Sequence, residues 1–308
     1  MYKLNSVKFR KLLLGMKKSY EQNLNVMEWA RVFLGKSQNS LQSTLIAYDL
    51  QSGNYVANAE KNPKYNLAWG KQLAHFINLR LEKGDSILEI GVGEATTLSS
   101  VFKYLNFKNI KLFGFDISWS RLYVANKYLN KQHINANLFV ADLFNIPLAD
   151  NSIDIVYTSH SLEPNGGKEK EALIECLRIA KKALILFEPI YELANIDAQK
   201  RMMHHGYVRN LKQIAEKIGA KVEYYKLLEK RANDLNPTGV IILTKIKNKK
   251  IANKNILKFI CPISKTPIEN YKDFFFSNDS GLIYPIINNI PVLCSESAIL
   301  GSKMKELI

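Results

Sequence analysis

Asp85-Ser-Ile-Leu-Glu-Ile-Gly-Val-Gly-Glu-Ala95 is the stretch on which the fold turns. Ser86 to Ile90 is short, apolar and bounded by turn residues, the pattern of a central parallel strand covered on both faces. Gly91 and Gly93 then let the backbone bend sharply and approach a ligand at van der Waals distance, which any Cβ would obstruct. Glu89 plants a carboxylate beside that bend. Two glycines alone say little, and the weight lies in the spacing of the acids downstream of them.

From Gly93 a helical stretch, Thr97 to Leu105, leads into Ile110-Lys-Leu-Phe-Gly-Phe-Asp116, a second strand. It ends on an acid about 20 residues after the turn, where a carboxylate can accept both hydroxyls of a ribose. A third strand, Asn137 to Ala141, ends at Asp142, and a fourth, Ser152 to Thr158, ends at Ser159-His160. In an open parallel sheet the ligand crevice lies beyond the carboxyl ends of the strands, so these polar residues converge although they are distant in sequence. The nicotinamide fingerprint wants a third glycine where this chain has Thr96, and no Gly-Lys-Ser or Gly-Lys-Thr phosphate loop is present.

Glu89-Ile-Gly91-Val-Gly93, Asp116, Asp142-Leu143 followed by Pro147, and Asn151-Ser-Ile-Asp154 together resemble the successive motifs of class I S-adenosylmethionine-dependent methyltransferases, over roughly residues 45–245. The resemblance implies an α/β fold, a Rossmann-like seven-stranded and mostly parallel sheet, with S-adenosyl-L-methionine as cofactor. By it, Gly91 and Gly93 pass under the methionine moiety, Asp116 holds the ribose, and Asp142 with Leu143 borders the adenine; Glu89, Ile117, Ser159 and Tyr55 complete the expected cofactor contacts. Glu94-Ala95 stands where many members place a third glycine.

With 308 residues, 47% of them hydrophobic, the chain can bury a substantial core and has room for about two domains. No apolar run approaches the roughly 20 residues that span a bilayer. The start, Met1-Tyr-Lys-Leu-Asn, lacks the apolar core of a secretory signal, so a cytoplasmic location is expected. Cys176, Cys261 and Cys294 are too few and too scattered for a disulfide framework. The net charge of +15 is uneven: residues 85–200 hold 12 Lys/Arg against 14 Asp/Glu, residues 1–84 hold 13 against 5, and residues 201–308 hold 18 against 9. The basic flanks suit either a phosphate-tracking surface or a general bias toward Lys, Asn and Ile, and the second reading is favoured.

Four regions are expected: an N-terminal helical segment and cofactor lid at 1–84, a methyltransferase core at 85–245, a basic linker at 246–256 and a small domain at 257–308. Residues 5–20 space Phe9, Leu12, Leu13, Met16 and Tyr20 as one face of a basic amphipathic helix, suited to its own domain, a partner or an anionic membrane. Another helix is expected from Pro63 to Leu81. Between them, Ala47 to Tyr55 resembles the tyrosine-bearing segment that folds over the cofactor in many small-molecule methyltransferases, so Tyr48 and Tyr55 are either pocket residues or ordinary aromatics. Further on, the pattern predicts helices over 166–180 and 207–218, a fifth strand from Ala183 to Glu188, and a closing antiparallel pair at 220–225 and 239–244.

The tail, with Cys261-Pro-Ile-Ser264, Ser277-Asn-Asp-Ser280, Tyr284-Pro-Ile and Ile290-Pro-Val, resembles small zinc-ribbon proteins that activate tRNA, rRNA and protein methyltransferases. Those bind zinc through two Cys-x-x-Cys pairs. Serine hydroxyls do not ionise near neutral pH, so the ribbon is expected to keep its shape without metal, held by Phe274, Phe275, Phe276, Tyr284, Ile286 and Val292, and to serve structure, protein contact or dimerisation.

Methyl transfer is an in-line displacement, and most of its catalysis is alignment in a dry pocket. Where the nucleophile starts protonated, His160 is the candidate base and Glu163 its orienting partner or a ligand for a substrate amine; His160 alternatively walls the pocket. Glu188 reaches the same crevice as substrate ligand or strand cap, while His204 and His205 are weaker candidates, placed side by side on different faces of a helix. No spacing suggests a metal site. The leading expectation is a methyltransferase acting on an oxygen or nitrogen of a small metabolite, with a surface-glycan sugar precursor as one guess. A tRNA or rRNA methyltransferase using the basic flanks, and a non-catalytic binding subunit that keeps the fold, are the alternatives.

Overall fold

The computed structural model describes residues 6–36, 39–231, 233–245 and 258–307. Five helices come first: α1 (Ser6–Glu21), α2 (Val26–Leu34), α3 (Leu41–Leu50), α4 (Asn54–Lys61) and α5 (Pro63–Asn78). Local chemistry sets their ends. The Asn25 side chain accepts the Glu28 N–H at the start of α2, Ser40 and Ser43 form a reciprocal capping box on α3, and Pro63 opens α5, where no N–H is needed. The amphipathic α1 buries Leu12 and Met16 against Val26, Ala30, Ile46 and Ala47, so its apolar face is occupied by α2 and α3. Leu13, expected in that face, is instead exposed. Ala47 to Tyr55 is not one extended segment but the end of α3, a turn and the start of α4.

The main sheet is built from β1 (Ser86–Ile90), α6 (Thr96–Lys103), β2 (Lys111–Asp116), α7 (Trp119–Lys131), β3 (Asn137–Val140), β4 (Ile153–Ser159), α8 (Glu169–Ile179), β5 (Ala180–Pro189), α9 (Ile196–His205), α10 (Leu211–Lys217), β6 (Ala220–Leu227) and β7 (Thr238–Lys245). Its order is β3-β2-β1-β4-β5-β7-β6, parallel through β5 and antiparallel at β7 and β6. All five residues of β1 are buried, as a central strand requires. One face packs on α5, α6 and α7 through Leu73, Ile77, Leu98 and Leu122, and the other on α8 and α10 through Leu173, Cys176 and Leu211. The order reverses between β1 and β4, which opens the crevice at their carboxyl ends. Two helices are shorter than the pattern predicts. α8 waits until Glu169 because Gly167 adopts φ +89°, and α10 waits until Leu211 because the Val208 N–H donates to the Glu163 carbonyl.

The C-terminal strands β8 (Glu269–Tyr271), β9 (Phe274–Ser277), β10 (Leu282–Ile287), β11 (Ile290–Pro291) and β12 (Ile299–Leu300), followed by the short α11 (Met304–Leu307), form a separate antiparallel sheet. It seats on β3, the edge of the main sheet: Val140 bridges Val292, and the Leu293 N–H donates to the Val140 carbonyl at 2.9 Å. A free sheet edge invites pairing with another chain, and this one is partly covered. Phe275, Tyr284 and Leu293 join the apolar cluster of Phe139 and Leu173, so the small sheet adds its apolar side chains to the main core. The linker expected at 246–256 lies outside the described residues.

The four ribbon positions meet. Ser264 N–H donates to Cys261 Sγ at 3.3 Å, Cys261 Sγ stands 3.4 Å from Ser280 Oγ, and Ser264 Oγ stands 3.5 Å from Ser277 Oγ. Burial pushes the Cys261 thiol up, but hydrogen bonds from Ser264, Ser280 and Tyr284 outweigh it and bring the thiol down to about 6. Among the described residues no group of three or more His, Cys, Asp or Glu could hold a metal ion, and no helix is long and apolar enough to cross a membrane. Zinc held by four sulfurs at about 2.3 Å sets them about 3.8 Å apart, close to the oxygen separations here. Replacing Ser264, Ser277 and Ser280 together by cysteine should therefore create a site for one zinc per chain, measured by metal analysis after gel filtration, with a melting temperature that falls on chelation.

Candidate functional site

The glycine turn sits between β1 and α6 with three carboxylates around it. Glu89, inside β1, is 2% exposed and accepts the Tyr157 hydroxyl from β4 at 2.7 Å. Burial pushes its carboxyl up to about 8, against the Tyr157 bond and a bond from the Leu98 amide in the first turn of α6. Glu89 thus ties two strands to the helix and fixes the turn from beneath. Gly91 has φ +65°, and a Cβ there would lie 2.3 Å from Ser161 Cβ, so the loop after β4 rests directly on the turn. Asp116, at the end of β2, accepts the Gly93 N–H at 3.0 Å and the Ser118 N–H at 2.9 Å. Burial raises its pKa while those amides and Arg121 oppose the rise.

Glu94, at the position where a third glycine would stand, reaches the N-terminal segment. Its carboxylate accepts the Gly53 N–H and the Val56 N–H, both at 2.8 Å, at the start of α4. Arg121 of α7 completes the attachment: its guanidinium lies over the rings of Tyr48 (4.2 Å) and Tyr55 (5.0 Å) and donates to the Tyr48 carbonyl and Gln51 Oε1. Burial, followed by the Asp116 charge, pushes the Tyr48 phenol up to about 12. Both tyrosines therefore sit over the Asp116 end of the crevice, Tyr55 with half of its surface exposed. Neither Glu94 nor Arg121 is legible as a site residue in the sequence; Glu94 shows only as a carboxylate where the turn asks for a small residue.

The second half of the site follows β4. Ser159 ends the strand and His160 adopts φ +56°, a left-handed backbone uncommon for a residue with a side chain. His160 Nδ1 lies 2.6 Å from Glu163 Oε2, and Nε2 lies 2.9 Å from Thr238 Oγ1 at the start of β7. Asn236 donates to Glu163 Oε2 at 3.1 Å. Burial pulls the imidazole down, but the hydrogen bond to Glu163 and the charges of Glu163 and Glu188 prevail, so its pKa is raised. Glu188 of β5 is fully buried and accepts three amides of this loop, Ser161 and Leu162 through Oε1 and Glu163 through Oε2, at 3.0–3.1 Å. Burial pushes Glu188 up to about 7, with His160 and the amides pulling the other way. It is a positioning residue for the loop.

Ile117 follows Asp116 in the bend before α7. Asp142 follows β3 and accepts the Phe144 N–H at 3.0 Å in a tight turn, and Leu143 packs against the apolar cluster of α8. The C-terminal sheet reaches this end of the crevice: burial, then the charges of Asp142 and Glu296, pushes the Cys294 thiol up to about 12. His204 and His205 end α9, and their rings meet edge to face at 5.3 Å despite being consecutive, because the helix stops there. Two buried polar atoms beside the crevice have no partner, Ser161 Oγ against Gly91 and Asn236 Oδ1 beside Glu163. A groove of about 870 Å³ lies elsewhere, between the C-terminal sheet and the amino ends of β2 and β3, lined by Lys111, Asn137, Phe259 and Lys272 among others. The strand-end crevice is the chemically equipped one.

Residues 87–183 match the family model described as a methyltransferase domain, a span from β1 into β5 that holds the glycine turn, Asp116, Asp142 and the His160–Glu163 pair. No curated protein matches the chain. Similar solved structures include a complex of a Haloferax volcanii methyltransferase activator with a putative methyltransferase (15% identity, 64% of this chain and 96% of that one, TM-score 0.49). Others are a putative sarcosine dimethylglycine methyltransferase from Galdieria sulphuraria (12%, 60% and 87%, 0.47) and a SAM-dependent methyltransferase from Aquifex aeolicus (18%, 53% and 83%, 0.41).

Glu89 gives this site a pH signature. Its folded pKa of about 8 lies above the ordinary carboxyl value, so its contribution to stability is complete at acid pH and is lost as pH rises through about 8. Glu89→Gln removes the titration and keeps one acceptor oxygen, while its amide can donate to a Tyr157 hydroxyl turned to accept. Thermal melts between about pH 5 and about pH 8.5 should show a smaller loss of stability with pH in this variant than in the parent.

Proposed function

We propose that this chain, an enzyme of one-carbon transfer by its methyltransferase domain and fold, uses S-adenosyl-L-methionine to methylate an oxygen or nitrogen of a small metabolite. The residues of the crevice fit that cofactor. Asp116 offers a buried carboxylate at the end of β2, held by the Gly93, Ser118 and Ile117 amides and suited to a ribose hydroxyl. A Cβ on Gly93 would meet only Arg121 Nη1, at 3.8 Å, so there is room above the turn, and the unpartnered Ser161 Oγ can serve the amino-acid end. Asp142 and Leu143 stand at the adenine end, with Ile117 and Ser159 along the strand ends; Tyr48 and Tyr55 cover the cleft. When bound, the cofactor supplies an electrophilic sulfonium methyl.

The chain's own part is alignment and one proton. His160 is the general base: with Nδ1–H held by Glu163, Nε2 takes the acceptor's proton when the acceptor displaces the Thr238 hydroxyl. The observation that carries this reading is the strained His160 backbone, in a loop locked by Glu188, with its ring between Glu163 and Thr238. In it the C-terminal sheet is a zinc-free ribbon that closes the β3 edge from within the chain, as a protein-contact surface resembling the activator proteins.

Calorimetry should give binding of S-adenosylhomocysteine, weakened roughly 10- to 100-fold by Asp116→Asn, which loses charge on two hydrogen bonds. Labelled donor incubated with a metabolite extract should transfer its methyl to the small-molecule fraction, and His160→Ala should lower that turnover about 10²- to 10⁴-fold while cofactor affinity holds. Because the His160 pKa is raised, activity should climb with pH along a limb above the ordinary histidine range, and Glu163→Gln should move that limb to lower pH. Absence of cofactor binding would remove the enzyme reading in favour of a binding subunit; label appearing in RNA instead of metabolites would favour the nucleic-acid alternative.

A further inference from the structure

Helix α1 is apolar on two opposite sides. Leu12 and Met16, with Phe9 and Tyr20 beside them, pack on α2 and α3, so folding accounts for that side. At about 100° per residue, Leu14 lies about 160° around the helix from each of Leu12 and Met16, and Val7, seven residues earlier, falls on nearly the same line. Leu14 is 55% exposed and Val7 62%, so both project into solvent. Single exposed apolar side chains are ordinary, and it is the setting of these two that carries information. Arg10 and Lys17 line one flank of the ridge and Lys11 and Lys18 the other, each pair seven residues apart. All four are exposed, and among the described residues none of them forms an ion pair. Glu21, the final residue, is the one acid in the helix.

An aliphatic ridge between two cationic rows is complementary to an anionic lipid surface. The ridge enters the boundary beneath the headgroups, while the long lysine and arginine stems on either side carry their charges to the level of the phosphates. Other occupants fit less well. Single-stranded nucleic acid is held by stacking its bases on aromatic rings, and the ridge carries aliphatic side chains where those rings would stand. A stable protein interface takes about 800 Å² from each partner, whereas this face is one helix wide and about 24 Å long. A second copy of the chain would set like charges against each other, row against row.

We infer that the outer face of α1 docks on an anionic phospholipid surface, with Val7 and Leu14 entering the headgroup boundary and Arg10, Lys11, Lys17 and Lys18 at the phosphates. The helix lies along the surface; among the described residues no helix is long and apolar enough to cross a membrane. The inference goes beyond the methyltransferase reading and does not depend on it.

Co-sedimentation of the full chain with lipid vesicles tests it. Vesicles of phosphatidylcholine mixed equally with phosphatidylglycerol should carry the protein down at low salt, pure phosphatidylcholine should leave it in solution, and added salt should weaken the binding. Lys11→Gln combined with Lys18→Gln, and separately Val7→Ser combined with Leu14→Gln, should each weaken it about tenfold or more. All four side chains are exposed, so these variants keep the fold, which circular dichroism melts verify. Leu14→Cys reads insertion directly: the three native cysteines are buried, so a polarity-sensitive dye goes to the new thiol, and its emission should shift to the blue on anionic vesicles. Failure to bind anionic vesicles overturns the inference, as does binding that is unchanged without the ridge, or a dye that stays in water. A single-stranded RNA held more tightly than the vesicles at equal salt overturns it in favour of nucleic acid, and a dimer that Val7→Ser with Leu14→Gln dissolves overturns it in favour of a second copy.

Discussion

The Glu188 carboxylate, fully buried at the end of β5, accepts the amides of Ser161, Leu162 and Glu163 in one grip. Burying a carboxylate costs several kcal/mol, and three hydrogen bonds to a charged group, at about 1.5–3 kcal/mol each, offset it. The consequence is a loop that has little freedom to relax. It carries His160 in a left-handed conformation and lays Ser161 against Gly91. It also docks the end of α9 through Glu163 and Gly166. The glycine turn, His160 and the end of α9 are therefore positioned by one acid in a neighbouring strand.

The lid depends on a similarly small set of contacts. Glu94 leaves the glycine turn to accept two amides of α4, and Arg121 leaves α7 to lie over Tyr48 and Tyr55. Lys131 adds an exposed ion pair to Glu60 at 2.7 Å, worth little by comparison because both ends are in water. The buried Glu94 bonds decide where the segment sits, since breaking one would strand a charge that is 2% exposed.

The C-terminal sheet is held by apolar packing with a few weak hydrogen bonds. Cys261, Ser264, Ser277 and Ser280 meet through weak hydrogen bonds. Around them Phe275, Phe276 and Tyr284 are buried, two of the three in the cluster that also holds Phe139 and Leu173. Each such side chain contributes about 1.5–3 kcal/mol when buried, so a few of them hold the small sheet in place. Docking on β3 is what makes that burial available.

By itself the sequence determined the strands β1 to β5, the antiparallel pair at the sheet edge, the glycine turn and the acids at the strand ends. Those are local properties: a short run of apolar residues, a turn residue with no Cβ, and an acid at a set distance read the same in any context. Only the tertiary structure decided what those acids touch. Glu89 turned inward to Tyr157, Glu188 was taken by backbone amides, and Glu94 became the lid's anchor. The helix start at Leu211 likewise came from a contact to distant backbone and not from periodicity. A side chain's partner is set by how elements dock, and docking joins residues as far apart as Tyr48 and Arg121, whose pairing no local pattern encodes.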